Sequence, residues 1–199
     1  MSDTTREPSD VSVVFDRYKE RLRRIVRLRL DRRLTGIVDS SGVLKLARDE
    51  VERRGGGPTE TAAEPFLWLR QIVGEVLLRI HQERLGPGVR GDISLYRGAL
   101  PEATSVSLAA HLLGKEGGED DQAAARAEQK ILLQETLNGM EPLDREVLTL
   151  RHCERLTNNE TATVLDISPA QASDAYIRAL KRISVIMASL PAFKRKESK

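Results

Sequence analysis

Residues 156–183, LTNNETATVLDISPAQASDAYIRALKRI, read as two short helices joined by a tight turn. Thr157 followed by Glu160 has the form of a capping box, in which hydroxyl and carboxylate each satisfy an orphan N–H at a helix start. Ala162, Val164 and Leu165 give that helix an apolar side before Asp166-Ile167-Ser168 interrupts it. Ser168 is a good N-cap, and Pro169 takes the first helical position, where a missing N–H costs nothing. In the second helix Ala172, Tyr176, Ala179, Leu180, Ile183 and Met187 share one face by helical spacing. Gln171, Ser173, Asp174, Ile177, Arg178 and Lys181 are left facing outward. The pattern is that of a helix-turn-helix whose second helix enters a DNA major groove, and equally that of an ordinary hairpin in a helical core.

Upstream of the hairpin the helical pattern continues. A helix from about Leu143 to Arg155 presents Val147, Leu148 and Leu150 to Leu156, and Glu141-Pro142 breaks it from one over 122–137. In that earlier helix the expected inward residues are Ala127, Ile131, Leu132 and, at its edge, Thr136. Residues 86–121 hold seven glycines and two prolines with scattered apolar residues, and read as a linker with one weak helix. In the first half, apolar residues at 11, 14, 15, 18, 22, 25, 26 and 30 form a stripe on a helix from Val11 to about Leu34. A second helix starts at a cap among Asp39, Ser40 and Ser41 and ends near Arg53, with Val43, Leu44, Ala47 and Val51 as its apolar positions. Gly55-Gly56-Gly57-Pro58 forces a loop. A third helix, with Pro65 in its first turn, runs to Leu85 and buries Phe66, Leu69, Ile72, Val73, Val76, Leu77 and Ile80.

The expected fold is therefore all-α, with two small helical domains. The boundaries are a disordered leader 1–10, a three-helix bundle over 11–85, the linker 86–121, a helix-turn-helix domain over 122–190 and a basic tail 191–199. Composition agrees: aromatic residues are 4% and charged residues 31% of a 199-residue chain, which disfavours a β-sandwich.

Net charge is only +2, too mild to argue for nucleic acid by itself. Its distribution is uneven. Between Arg17 and Arg33 nine basic residues face only Glu20 and Asp31. That run is either a solvated helix face or a surface for phosphate or an acidic protein. Cys153 is the single cysteine, so no intramolecular disulfide can form, and it reads as a small buried hydrophobe. His81, His111 and His152 lie in different elements, and no residue set has metal-ligand spacing. No phosphate-binding loop, dinucleotide fingerprint or nucleophile elbow occurs. No catalytic residue, metal or cofactor is expected. No apolar run is long enough to span a membrane and the first ten residues lack a signal-peptide core, so the cytoplasm is the expected setting.

Residues 137–183 resemble region 4 of bacterial alternative sigma factors of the extracytoplasmic-function group. The resemblance rests on Leu143-Asp144-Arg145-Glu146-Val147-Leu148, Arg151-His152, Leu156-Thr157, Glu160-Thr161-Ala162, Val164-Leu165, Ile167-Ser168 and Arg178-Ala179-Leu180. The first half is similar to region 2 of that group over Tyr18 to Arg33, Val38-Asp39-Ser40-Ser41 with Val43-Leu44, and Phe66 to Arg70. The resemblance implies a dissociable subunit whose partners are core RNA polymerase and promoter DNA, and it allows an anti-sigma factor as a further partner. It implies polymerase contact through the second helix, at Asp39, Val43, Leu44 and Lys45. It implies −10 contacts at Arg70 and Arg79, and a −35 reader formed by Gln171, Ser173, Asp174, Ile177, Arg178 and Lys181. The chain departs from the family pattern at Gly42, Lys45 and Leu46, and again at Asp174 and Ala175, where basic residues are common. The competing readings are a helix-turn-helix regulator that never joins polymerase and an interaction protein without initiation activity.

Overall fold

The computed structural model describes residues 10–54, 65–86, 105–113 and 123–189. Eight α-helices account for most of these residues, and no strand occurs among them. The chain divides into two compact units, Met1–Pro101 and Glu102–Lys199. The fold is all-α. Most of the 1–10 leader, the glycine loop and the 191–199 tail lie outside the described residues.

The first unit is a bundle of α1 (Asp10–Arg29), α2 (Ser40–Arg54) and α3 (Pro65–Leu85), each packed against the other two. Phe15, Leu22, Ile25 and Val26 from α1 meet Val43, Leu44, Ala47 and Val51 from α2 and the expected face of α3, all buried. Fully burying each such Leu, Ile or Phe is worth about 1.5–3 kcal/mol, so this face dictates the bundle. α1 stops earlier than its apolar stripe suggests. Asp31 accepts the backbone N–H of Arg33 at 2.8 Å and starts a single 3-10 turn over Arg32–Leu34, which plants Leu34 in the core. Gly36 follows at φ +88°, a left-handed conformation in which a side chain would be strained.

Two arginines depart from surface expectation. Arg29 and Arg70 are 1% and 2% exposed, so part of the basic run serves the interior. Arg21 is also occupied structurally, with its guanidinium 3.5 Å from the centre of the Phe66 ring.

The second unit comprises α4 (Ser105–Leu113), α5 (Ala123–Asn138), α6 (Pro142–Leu148), α7 (Asn158–Leu165) and α8 (Pro169–Ser189). α4 falls inside the stretch expected to be linker, yet it packs on α5. Leu108 and Ala109 are fully buried, and the Ser105 hydroxyl donates to the Asn138 side-chain oxygen. The phase of α5 also differs from expectation. Gln129, Leu133 and Leu137 point inward, whereas Ile131 and Leu132 are 56% and 40% exposed. The adjacent pair Ile131-Leu132 dominates a helical wheel, and the polar Gln129 hides the true stripe. Between α6 and α7 the segment Thr149–Cys153 forms a wide π-helical turn, closed by Glu154 N–H to the Thr149 carbonyl at 3.0 Å. Leu150 and Cys153 are buried there.

Candidate nucleic-acid interface

The helix-turn-helix is built from local chemistry. At the start of α7 the Glu160 N–H donates to the Thr157 hydroxyl at 3.2 Å and the Thr157 N–H to the Glu160 carboxylate at 2.5 Å, the expected capping box. α7 ends with Asp166 in the left-handed conformation at φ 54°. Ile167 N–H reaches the Ala162 carbonyl at 3.1 Å and Asp166 N–H the Thr163 carbonyl at 3.4 Å, a Schellman closure with aspartate where glycine is usual.

The turn then hands the chain to α8. A second reciprocal cap closes it, because Gln171 N–H donates to the Ser168 hydroxyl at 3.2 Å and Ser168 N–H to the Gln171 side-chain oxygen at 2.9 Å. The Asn158 amide donates to the Pro169 carbonyl at 2.7 Å, which fixes the start of α7 to the first turn of α8.

α8 is seated on its neighbours by Ala172, Ala175, Ala179 and Ile183. Its buried face is rotated from the expected one. Ala175 is fully buried, while Leu180, expected inside, is 39% exposed. The small alanines let helices approach closely, and an alanine weighs little on a hydrophobic wheel. Met187 is among the residues whose side chains are not described.

Of the residues implied as the −35 reader, Asp174, Ile177 and Lys181 are exposed on one side of α8, with Ser173 half-buried at its margin. Gln171 is exposed but its side-chain oxygen is committed to the cap. Arg178 requires a correction. Its guanidinium makes a two-pronged ion pair with Asp144 of α6, at 3.0 and 2.7 Å, so it is not a free phosphate contact. Asp144 is nearly buried, at 8% side-chain exposure, against 57% for Arg178. The bond to Asp144 holds the Arg178 pKa above its ordinary value, with smaller attraction from Asp174 and Glu141. Three carboxylates thus surround the cation on the face expected to meet DNA.

The sites implied in the first unit need similar revision. Arg70 is buried and cannot neutralise a phosphate; Arg79 is exposed on α3. Val43 and Leu44 are 0% and 3% exposed, so they form core and not a partner surface. Both also belong to the apolar stripe that closes the bundle, and a residue cannot serve both faces. Asp39 and Lys45 are exposed, and Asp39 caps α2 by accepting the Gly42 N–H at 2.7 Å. Leu46, noted in the sequence only as a departure from the family pattern, is 43% exposed beside Lys45.

Asp144 was missed as well, because nothing local ties it to a residue 34 positions away. The cap at Gln171 did have a signal, the Ser-x-x-Gln spacing of a capping box. Among the described residues no group of three or more His, Cys, Asp or Glu is placed to hold a metal ion. No described helix is long and apolar enough to cross a membrane.

A capped helix pair of this kind, with the second helix displaying polar side chains from its first turns, has the helix-turn-helix arrangement that DNA-binding modules use to present a recognition helix. Residues 130–183 match the family model described as Sigma-70, region 4, and this segment carries that domain. That family comprises transcription initiation factors and not enzymes. A comparison with curated proteins found no match to the chain.

Proposed function

We propose that the chain is an alternative sigma factor of the extracytoplasmic-function group. It binds core RNA polymerase in the cytoplasm, directs initiation at its own promoters, and is open to control by an anti-sigma factor. The observation that carries this reading is the helix-turn-helix inside the segment matched to sigma-70 region 4. In this proposal residues 11–85 act as the region 2-like domain, the stretch that precedes α4 connects it to the second unit, and α8 reads the −35 element. Ser173, Asp174, Ile177 and Lys181 supply the base-facing side chains; a carboxylate such as Asp174 can accept from a cytosine amino group. Arg178 orients α8 through Asp144. Arg79 contacts the −10 region, and Asp39 and Lys45, joined by Leu46, contact polymerase.

One observation favours a second reading, that of a sigma-like interaction protein without initiation activity. The outer face of α8 places Asp174 beside a cation already held by Asp144, which weakens attraction to phosphate. A single experiment separates the readings. The purified chain is added to core polymerase lacking any sigma, and run-off transcription is measured on fragments of the source genome. Discrete start sites support the sigma reading. Co-purification with polymerase and no transcripts refutes it in favour of the interaction protein, and DNA binding without polymerase refutes it in favour of a free-standing regulator.

A further inference from the structure

We propose that the outer face of α1 is a second nucleic-acid surface, one that takes phosphate backbone without reading sequence. Arg17, Arg24 and Arg27 are all exposed. At 100° per residue, the step from 17 to 24 turns the helix by about 20° and that from 24 to 27 by about 60°, so the three lie on one face. They span ten residues, about 15 Å of helix. Among the described residues none of the three sits in an ion pair. Glu20, the carboxylate that shares this face, is already paired with Arg23. The stripe is therefore a row of uncompensated guanidinium groups.

The first unit's own stability does not call for this row. Cations near a helix C-terminus are favoured by the macrodipole, and Arg27 lies in the last turn of α1. That account does not extend to Arg17 or Arg24. Surface helices that are merely solvated usually balance the sign of their charges; here a single carboxylate, Glu20, stands among the three arginines and is already paired with Arg23. All three are arginine, whose planar fork matches phosphate oxygens two at a time. Along about 15 Å a duplex presents on the order of nine backbone charges, enough to meet every guanidinium.

An acidic protein partner fits less well. The core of a protein interface is rich in apolar area, and among the described residues of α1 the large exposed hydrophobic one is Val13, beyond one end of the row. The inference stands apart from the initiation reading, since it concerns what the first unit binds and not whether transcription starts. It also relocates phosphate attraction. The helix-turn-helix face carries Asp174 and a paired Arg178, whereas α1 carries three free cations.

The test uses the full chain and a fluorescently labelled DNA duplex of arbitrary sequence. Binding is followed by anisotropy between about 50 and 200 mM salt, the range over which phosphate contacts dominate the salt response. Each phosphate contact contributes about 0.9 to the slope of log affinity against log salt. Replacing all three residues together (Arg17→Ala, Arg24→Ala, Arg27→Ala) is expected to make that slope shallower by about 2.7. The corresponding Arg→Lys triple variant, which keeps the charges, is expected to retain most of it, with helix content by circular dichroism unchanged in both. A change smaller than about 0.9 in the alanine variant, less than one phosphate, overturns the proposal. So does a lysine variant that loses as much as the alanine one. An unchanged DNA slope with lost binding of a labelled poly-glutamate peptide overturns it in favour of an acidic protein partner.

Discussion

Removing Arg178 should hurt the second unit more than removing the aspartate it pairs with. The asymmetry follows from where each group lies. Asp144 has 8% of its side chain exposed and Arg178 57%. In Asp144→Ala the guanidinium can turn into water, so the loss approximates that of a partly exposed ion pair, about 0–1 kcal/mol. In Arg178→Ala the Asp144 carboxylate stays nearly buried without its two charge-assisted donors. A buried acceptor left unsatisfied costs about 1–3 kcal/mol, and more when charged, so about 2–3 kcal/mol is expected for the stranded carboxylate. For a unit of roughly 100 residues each kcal/mol shifts Tm by about 4–8 °C. Thermal unfolding followed by circular dichroism should therefore show a fall of up to about 8 °C for Asp144→Ala and at least about 8 °C for Arg178→Ala. Removing both should be milder than removing Arg178 alone, because no carboxylate is then stranded. An Arg178→Ala variant no less stable than Asp144→Ala would refute the reasoning, as would a double variant no better than Arg178→Ala. In either case burial of the Asp144 carboxylate would not be what makes its pair with Arg178 matter.

The other predictions concern acid sensitivity and helix capping. His81 is buried, and burial pushes its pKa below the usual imidazole value while its Nε2 accepts the Asp31 N–H at 3.2 Å. A depressed histidine pKa means that the unfolded chain binds the proton first. The contribution is therefore complete above about pH 6.5 and is lost as pH falls from there through the lower folded pKa. Urea midpoints of the wild type should fall between about pH 7 and 5, and those of His81→Gln should fall less; equal slopes would remove His81 as the cause. Ser168→Ala opens the cap of α8 and should cost about 1 kcal/mol in chemical denaturation. Gln171→Ala removes the reciprocal bond and should lower stability with little change in base preference. A Gln171→Ala variant of unaltered stability but altered preference, in a binding-site selection, would restore Gln171 as a reader.

Where the fold was legible, local chemistry and periodicity pointed the same way. Pro65 and Pro169 stand at the first helical positions of α3 and α8, Thr157 and Glu160 cap α7, and the stripe from Phe66 to Ile80 is the buried one. The failures share a cause, which is that a helical wheel weighs residues by hydrophobicity and not by neighbour. Ile131 and Leu132 drew the inward face of α5 away from Gln129, and Leu180 did the same to Ala175 in α8. Charged residues mislead in the opposite direction. Arg70 reads as a phosphate contact until the bundle closes over it, and Asp144 and Arg178 meet only when α6 and α8 pack. The module is legible because capping is local; its electrostatics are not, because ion pairs between helices are made by tertiary packing.

The wide turn at Thr149–Cys153 bears on how this segment is to be compared with others. A π turn is an α turn carrying one additional residue, so a chain one residue shorter there can close the same segment as plain α-helix. Both flanking faces, with Asp144 before the turn and α8 after it, would be preserved. A gap set beyond α8 instead shifts by one every column between the turn and that gap, and a reader position is then scored against its neighbour. Whether Asp174 stands in a column where other chains carry a base-reading cation is decided at Thr149, well upstream of the helix in question.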